Sequence, residues 1–186
     1  MTTETILLVE DDENDAFFLQ RAIRKTGMLN PVQHSRDGQE AINYLSGIGK
    51  FSRRAEFPLP GLILLDLKLP FVMGLDVLKW VRQNPELSPI VVILSSSENE
   101  TDVASAYRLG ANAYLVKPPE AGKLEVMVKA INDFWLLQNT APPRCGVKTA
   151  PGLTWKNRDR SFATNQLSSS SNSLGRTCAP LCRTDL

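Results

Sequence analysis

The first 140 residues of this 186-residue chain contain no cysteine, and all three cysteines lie further along, at Cys145, Cys178 and Cys182. A domain that needs no disulfides suits a reducing compartment, so we expect a cytoplasmic protein. The chain also lacks any apolar run near the roughly 18 residues that a membrane-spanning helix requires. No secretory signal is visible, because the N-terminus starts acidic and its first apolar run is short. We therefore predict no association with a membrane.

An excess of basic charge is also missing from the first 140 residues, which carry 14 basic and 18 acidic side chains, a net of −4. Residues 141–186 carry 7 basic and 2 acidic side chains, a net of +5, so the total of +1 averages two unlike parts. The acidic body argues against nucleic-acid binding. Because residues 141–186 lack hydrophobic periodicity and include a run of serines, we predict one domain over 1–140 and a disordered tail over 141–186.

Short apolar runs alternate with stretches of helical periodicity along the body. The runs predict five strands, at residues 5–9, 32–35, 61–65, 90–94 and 113–116. Helical spacing follows each strand, and the last helix has apolar residues from Leu124 to Trp135. Buried strands separated by helices predict an α/β fold with a doubly wound, five-stranded parallel sheet. We expect the strand order 2-1-3-4-5, with the functional crevice beyond the carboxyl ends of the strands.

Polar residues follow four of these strands. They are Glu10, Asp11 and Asp12 after the first strand, Asp66 after the third, Ser95 after the fourth, and Lys117 with Pro118 after the fifth. These four strands are neighbours in the expected order, so their ends converge on one site. Adjacent carboxylates repel one another unless a cation lies among them, and oxygen ligands without His or Cys suit Mg²⁺. An Asp at such a site can attack phosphorus, while a Lys and a Ser hydroxyl stabilise the phosphoryl oxygens. The simpler alternatives are that Asp12 caps a helix and that Ser95 and Lys117 belong to turns.

Four stretches together resemble the receiver domains of response regulators in two-component signalling. They are residues 6–12 (ILLVEDD), 62–70 (LILLDLKLP) with Gly74, 91–95 (VVILS) and 110–118 (GANAYLVKP). The resemblance covers about residues 4–137, and it is greatest to the stand-alone regulators associated with phytochromes. It implies the flavodoxin-like receiver fold, Mg²⁺ as cofactor, and phosphoryl transfer from a sensor histidine kinase, with a phytochrome-type kinase as one candidate.

The resemblance also implies a role for each site residue. Asp66 is the phosphoacceptor, Lys117 and Ser95 act on the phosphoryl group, Ser95 and Tyr114 form the switch, and Pro118 follows a cis peptide bond. The expected metal ligands are Glu10, Asp11, Asp66 and the backbone carbonyl of Lys68, with Asp12 as the alternative because three consecutive acids leave the register open. Tyr114 has the alternative role of a half-buried strand aromatic.

Two residues depart from the family pattern. Met73 stands where many receivers have Asp, and Lys68 places a cation at the mouth of the site. Lys68 also bears on the main alternative, a phosphatase of the haloacid-dehalogenase type, which would need a second Asp two residues after Asp66. A nucleotide-binding flavodoxin-like module is disfavoured, because no glycine-rich phosphate loop follows the first strand. We therefore expect a phosphorylation switch rather than an enzyme that acts on a separate substrate.

Two surface features leave alternatives open. The loop at residues 47–60 is long and basic in its middle, and it is either a tolerated insertion or a contact for a partner. Phe134 and Trp135 on the last helix are either core residues or the surface of a homodimer.

Overall fold

Residues 4–140, which are described by a computed structural model, form five strands and five α-helices that alternate along the chain. The strands are β1 (Thr5–Val9), β2 (Val32–Ser35), β3 (Pro60–Leu65), β4 (Ile90–Ser95) and β5 (Ala113–Val116). The helices are α1 (Glu13–Lys25), α2 (Gly38–Ser46), α3 (Gly74–Gln83), α4 (Glu100–Arg108) and α5 (Ala121–Ile131). The prediction of a disordered tail concerns residues outside the described range and stays a prediction.

The strands form one sheet in the order β2-β1-β3-β4-β5, and every neighbouring pair is parallel. The predicted fold and strand order are therefore confirmed. Alternate residues of β1 enter two different cores, because successive side chains of a strand point to opposite faces. Leu7 and Val9 pack with residues of α2, α3 and α4, whereas Ile6 and Leu8 pack with residues of α1 and α5. Helices on both faces explain why β1, β3 and β4 are buried along their whole length.

The long loop between α2 and β3 is folded against the domain. It contains a 3₁₀-helix at Gly49–Ser52, whose Phe51 ring is buried edge-to-face against Tyr44. The Tyr44 hydroxyl donates to the carbonyl of Pro58 at 2.7 Å. The guanidinium of Arg54 donates to the carbonyls of Tyr44 and Phe57, which ties the loop to the end of α2. The loop thus has a structural role of its own, and its role as a partner contact stays a prediction.

Helix α5 continues into a π-helical stretch at Asn132–Gln138, in which the Asn139 N–H donates to the carbonyl of Phe134 at 2.7 Å. The Trp135 side chain packs in part against the core beneath α1 and α5, whereas Phe134 is half exposed. The core role therefore fits Trp135, and a dimer surface at Phe134 stays a prediction. No helix within residues 4–140 combines the length and apolar character that crossing a membrane requires.

Candidate functional site

Backbone hydrogen bonds between strand ends bring the candidate residues to one edge of the sheet. The Asp66 N–H donates to the carbonyl of Val9 at 3.0 Å, which places Asp66 beside the residue after β1, Glu10. The Lys117 N–H donates to the carbonyl of Ser95 at 2.9 Å, which places these two residues side by side at the ends of β4 and β5. The parallel register therefore assembles the site that the strand ends predicted.

The carboxylates of Glu10, Asp11 and Asp66 form an acidic cluster in which one oxygen from each lies within 4.8 Å of the others. Glu10 and Asp66 are buried, and Asp11 is exposed. Asp12 has a different use, because its carboxylate accepts hydrogen bonds from the N–H groups of Asn14 (2.8 Å) and Asp15 (3.0 Å) and caps α1. These hydrogen bonds, with that of Asp15 first, lower the pKa of Asp12. The cluster thus contains the first two of the three consecutive acids.

Lys117 supplies the positive charge of the site. Its ammonium Nζ lies 2.5 Å from Oε2 of Glu10, 3.0 Å from Oδ2 of Asp15 and 3.7 Å from Oδ2 of Asp66. Burial by itself would lower the pKa of Lys117, but the hydrogen bond that Lys117 donates to Glu10 and the charges of Asp66 and Glu10 raise the pKa above its usual value. The lysine therefore stays charged across the physiological range, and it lies nearer to two other acids than to the candidate phosphoacceptor.

Burial raises the pKa values of the two buried acids of the site. Burial raises the pKa of Glu10 from 4.5 to about 7, although the hydrogen bond from Lys117 acts in the opposite direction. Burial also raises the pKa of Asp66, again against the charge of Lys117. Oδ1 of Asp66 is buried and has no hydrogen-bond partner among residues 4–140. Such an oxygen normally has a partner, and three hard oxygen donors suit a divalent cation, so these residues fit a metal site.

The peptide bond between Lys117 and Pro118 is trans, as are all the peptide bonds within residues 4–140. The predicted cis bond before Pro118 is therefore wrong. The amide before a proline prefers the trans form by about 0.5–1 kcal/mol unless the fold forces the other isomer. Here Lys117 is held by its backbone bond to Ser95 and by its ion pairs, and a cis turn is not needed to direct it into the site.

The two expected switch residues meet at a third residue, Ser97. The Oγ of Ser95, which is fully buried, accepts a hydrogen bond from the Ser97 N–H at 3.2 Å. The Tyr114 hydroxyl donates to the Ser97 carbonyl at 2.8 Å, and the Ser97 hydroxyl donates to Oδ2 of Asp102 in the first turn of α4 at 2.7 Å. Tyr114 is also half-buried against the core, which fits its alternative role as a strand aromatic. The link through Ser97 was not predicted from the sequence.

Asp15 is the other residue that sequence reasoning missed. It lies in the first turn of α1, and its carboxylate receives a hydrogen bond from Lys117, 102 residues away. The available signal was its position, since an acid in the first turn of a helix that starts at the site edge can face that site. Asp15 and Lys117 line the same cleft of about 210 Å³ between α1 and the segment after β5.

The loop from Asp66 to α3 turns back on itself at Gly74. The Gly74 N–H donates to the carbonyl of Leu67 at 2.9 Å, and a Cβ at position 74 would lie 2.0 Å from the backbone oxygen of Asp66. Only glycine permits this approach. The side chains of Lys68 and Met73 in this loop are exposed. The Lys68 carbonyl as a metal ligand stays a prediction.

The sequence pattern of the response regulator receiver domain matches residues 6–129 of the chain. The chain belongs to the response regulator receiver family. This receiver is 39% identical to the response regulator Rcp1 of Synechocystis sp. strain PCC 6803 over 140 residues, which are 75% of this chain and 93% of Rcp1. The chain is thus similar to a regulator that consists of little more than a receiver domain.

Solved structures show the same relationship. The phosphorylated cyanobacterial phytochrome response regulator RcpA has a TM-score of 0.71 at 37% identity, with coverage of 76% of this receiver and 99% of RcpA. The Mn²⁺-bound form of Rcp1 has a TM-score of 0.68 at 38% identity, with coverage of 75% and 99%. The predicted family and the likeness to phytochrome response regulators are confirmed. The receiver is a two-component signalling protein of a family that binds divalent metal, and its acidic cluster fits that property.

Proposed function

We propose that this receiver accepts a phosphoryl group on Asp66 from a sensor histidine kinase. The observation that supports Asp66 above the other acids is its environment. Its carboxylate is buried at the end of β3, its Oδ1 is without a hydrogen-bond partner in the described chain, and its Oδ2 faces a lysine ammonium at 3.7 Å. A carboxylate oxygen can attack phosphorus, and the cation opposite can stabilise the negative charge of the phosphoryl group.

The proposed step is an in-line displacement at phosphorus. An oxygen of the Asp66 carboxylate forms the new P–O bond while the P–N bond to the donor histidine breaks. The imidazole nitrogen leaves with the electron pair of that bond and takes up a proton from solvent. Lys117 stabilises the equatorial phosphoryl oxygens by its charge, and the Ser95 hydroxyl donates a hydrogen bond to one of them.

We infer that Glu10, Asp11 and Asp66 hold a Mg²⁺ ion, with the Lys68 carbonyl as a further ligand. When bound, Mg²⁺ supplies positive charge that offsets the repulsion among the carboxylates and the phosphoryl group. Mg²⁺ is proposed over Mn²⁺ because hard oxygen ligands with a phosphate partner are its usual protein environment. Asp12 is left out of this ligand set because its carboxylate is engaged at the start of α1.

The proposed output is a change at the surface formed by α4, β5 and α5. Once Ser95 donates to a phosphoryl oxygen, its contact with the Ser97 N–H is altered, and Ser97 also carries the bonds from Tyr114 and to Asp102. A shift at Ser97 therefore reaches β5 and the start of α4 together. The relatives that are phytochrome response regulators support a phytochrome-type kinase as the donor. A homodimer through the Phe134 side of the last helix is the proposed assembly.

A catalytic role on a separate substrate is not favoured. A phosphatase that uses an Asp nucleophile needs a second acid to protonate the leaving group, and the residue two positions after Asp66 is the exposed Lys68. The proposed product is therefore the phosphorylated protein itself.

Incorporation of label from radioactive acetyl phosphate in the presence of Mg²⁺ tests the assignment. We expect the wild-type protein to take up label as an acyl phosphate and Asp66→Asn to take up none. The matched control is Asp76→Asn, which makes the same change at an exposed carboxylate in the first turn of α3 and should label like the wild type. Labelling of Asp66→Asn at the wild-type level would contradict the assignment.

A further inference from the structure

We propose that Asp15 is a positioning residue that holds the Lys117 ammonium back from Asp66 in the resting receiver and thereby slows phosphoryl transfer. This inference rests on the proposed function of Asp66. It concerns a carboxylate that belongs neither to the acidic cluster nor to the family motifs in the sequence.

The distances show where the lysine is held. Nζ of Lys117 is within hydrogen-bond distance of Glu10 (2.5 Å) and Asp15 (3.0 Å), but its 3.7 Å separation from Asp66 is too long for a hydrogen bond. The ammonium has three donors, and two are used on the side of β1 and α1. The cation that must stabilise the phosphoryl group is therefore hydrogen-bonded to Glu10 and Asp15 and not to Asp66.

Backbone hydrogen bonds anchor the two residues whose carboxylates bind Lys117. The Asp15 N–H donates to the capping carboxylate of Asp12 at 3.0 Å, which anchors the residue in the first turn of α1. Glu10 is held by its N–H bond to the carbonyl of Ser35 at 3.0 Å. The backbones of both acids that bind Lys117 are thus anchored by hydrogen bonds, and the long lysine side chain can move between these acids and Asp66.

The two retaining acids are not equivalent. Glu10 is buried within the acidic cluster, where it is also a proposed metal ligand, and its removal would disturb the metal site itself. The Asp15 side chain is 47% exposed and lies outside the cluster of Glu10, Asp11 and Asp66. The charge of Asp15 can therefore be removed while the proposed ligand set and the phosphoacceptor stay intact.

A phosphoryl group arriving at Asp66 draws Lys117 toward β3, and this movement lengthens or breaks the contact with Asp15. Since Asp15 stabilises the lysine more before transfer than during it, its loss lowers the barrier to transfer. The effect of one half-exposed ion pair is about fivefold in rate, which corresponds to about 1 kcal/mol.

The test measures the initial rate of label uptake from acetyl phosphate, with Mg²⁺, as a function of acetyl phosphate concentration. We expect Asp15→Asn to raise the maximal rate about fivefold and to leave the half-saturating concentration unchanged, since Asp15 acts through Lys117 and not on the donor. Glu13→Gln is the matched control, because it removes one acidic charge from the same first turn and because, within residues 4–140, Glu13 pairs only with the exposed Arg36, at 3.5 Å. Glu13→Gln should label at the wild-type rate.

Two further variants separate positioning from other effects. Asp15→Glu keeps the charge and should restore a rate within about twofold of wild type, because a half-exposed carboxylate has room to reach the same ammonium. In a Lys117→Ala background, Asp15→Asn should give no acceleration. Acceleration that persists without Lys117 would show that Asp15 acts by direct repulsion of the phosphate and would overturn the proposal.

The remaining outcomes are also decisive. An Asp15→Asn rate equal to or below that of wild type overturns the holding role and leaves phosphorylation of Asp66 intact. A wild-type protein that takes up no label overturns the proposed function and the holding role together. A loss of folding cannot imitate the expected result, since an unfolded site would label more slowly.

Discussion

The metal-free receiver is expected to lose stability as the pH rises from 5 to 8, and Glu10→Gln is expected to remove most of that loss. Glu10 is 2% exposed, and burial raises its pKa from 4.5 to about 7. An acid whose pKa is raised by folding holds its proton more tightly in the folded state. The contribution of Glu10 to stability is therefore fully present below pH 4.5 and is lost as the pH rises through 7.

The magnitude follows from the two pKa values. A carboxyl group with a pKa of 4.5 in the unfolded chain and about 7 in the folded protein costs about 3 kcal/mol when fully ionised, of which about 2.5 kcal/mol develops between pH 5 and pH 8. Asp66 contributes in the same direction, because burial raises its pKa as well. The lowered pKa of Asp12 acts at a lower pH, below its ordinary value of 3.8, and lies outside this interval.

Urea denaturation followed by far-UV circular dichroism at pH 5 and pH 8, with a chelator present, measures the effect. We expect the free energy of unfolding of the wild type to fall by about 2–3 kcal/mol over this interval and that of Glu10→Gln to fall by much less. Glutamine keeps a side-chain oxygen that can accept the hydrogen bond from Lys117, so the substitution removes the titrating carboxyl group and keeps the shape of the side chain. Addition of Mg²⁺ at pH 8 should restore more stability to the wild type than to the variant, because bound ligand stabilises the folded state. Equal pH dependence in the two proteins would refute the argument that Glu10 is the titrating group.

Two glycine substitutions and one loop substitution test the backbone. Gly74→Ala should lower the free energy of unfolding by about 3 kcal/mol, because a Cβ there would lie 2.0 Å from the Asp66 backbone oxygen. Gly122→Ala is the control, because no atom lies within 4 Å of its new Cβ. It should be neutral or stabilise the fold by less than about 1 kcal/mol. Phe71 has a φ of 63° in a three-residue turn and is 90% exposed, so Phe71→Asn should stabilise the fold by about 1 kcal/mol. Urea midpoints measure all three, and equal midpoints for the two glycine variants, or a lower midpoint for Phe71→Asn, would contradict these expectations.

Much of the fold was accessible from the sequence because its signals are local. Apolar runs of strand length that alternate with helical spacing identify the five strands to within a residue at each end, and the rule that parallel crossovers are right-handed restricts how they are joined. The site followed from the same logic, because the residue after each parallel strand must lie at the carboxyl edge. This reasoning predicted that Asp66, Ser95 and Lys117 lie at that edge, and their roles stay predictions.

The sequence was less informative where a residue had two plausible uses. Three consecutive acids left the register open, and the structure assigns the first two to the cluster and Asp12 to the cap of α1. Tyr114 and Trp135 were each ascribed two roles, and the fold places both in part against the core. Spacing along a chain does not distinguish such uses, since helix capping, metal binding and core packing favour overlapping residue types.

By itself, the sequence determined which residues form the sheet and which side chains stand at its carboxyl edge. Only the tertiary structure decided how those side chains share their charges. The pairing of Lys117 with Asp15 joins residues 102 apart, and the lack of a hydrogen-bond partner for Oδ1 of Asp66 within residues 4–140 depends on what surrounds it in space. The physical reason is that hydrophobic periodicity is a pattern of residues close together in the sequence. Electrostatic and hydrogen-bond energies depend instead on spatial distances of a few ångströms, often between residues far apart in the sequence.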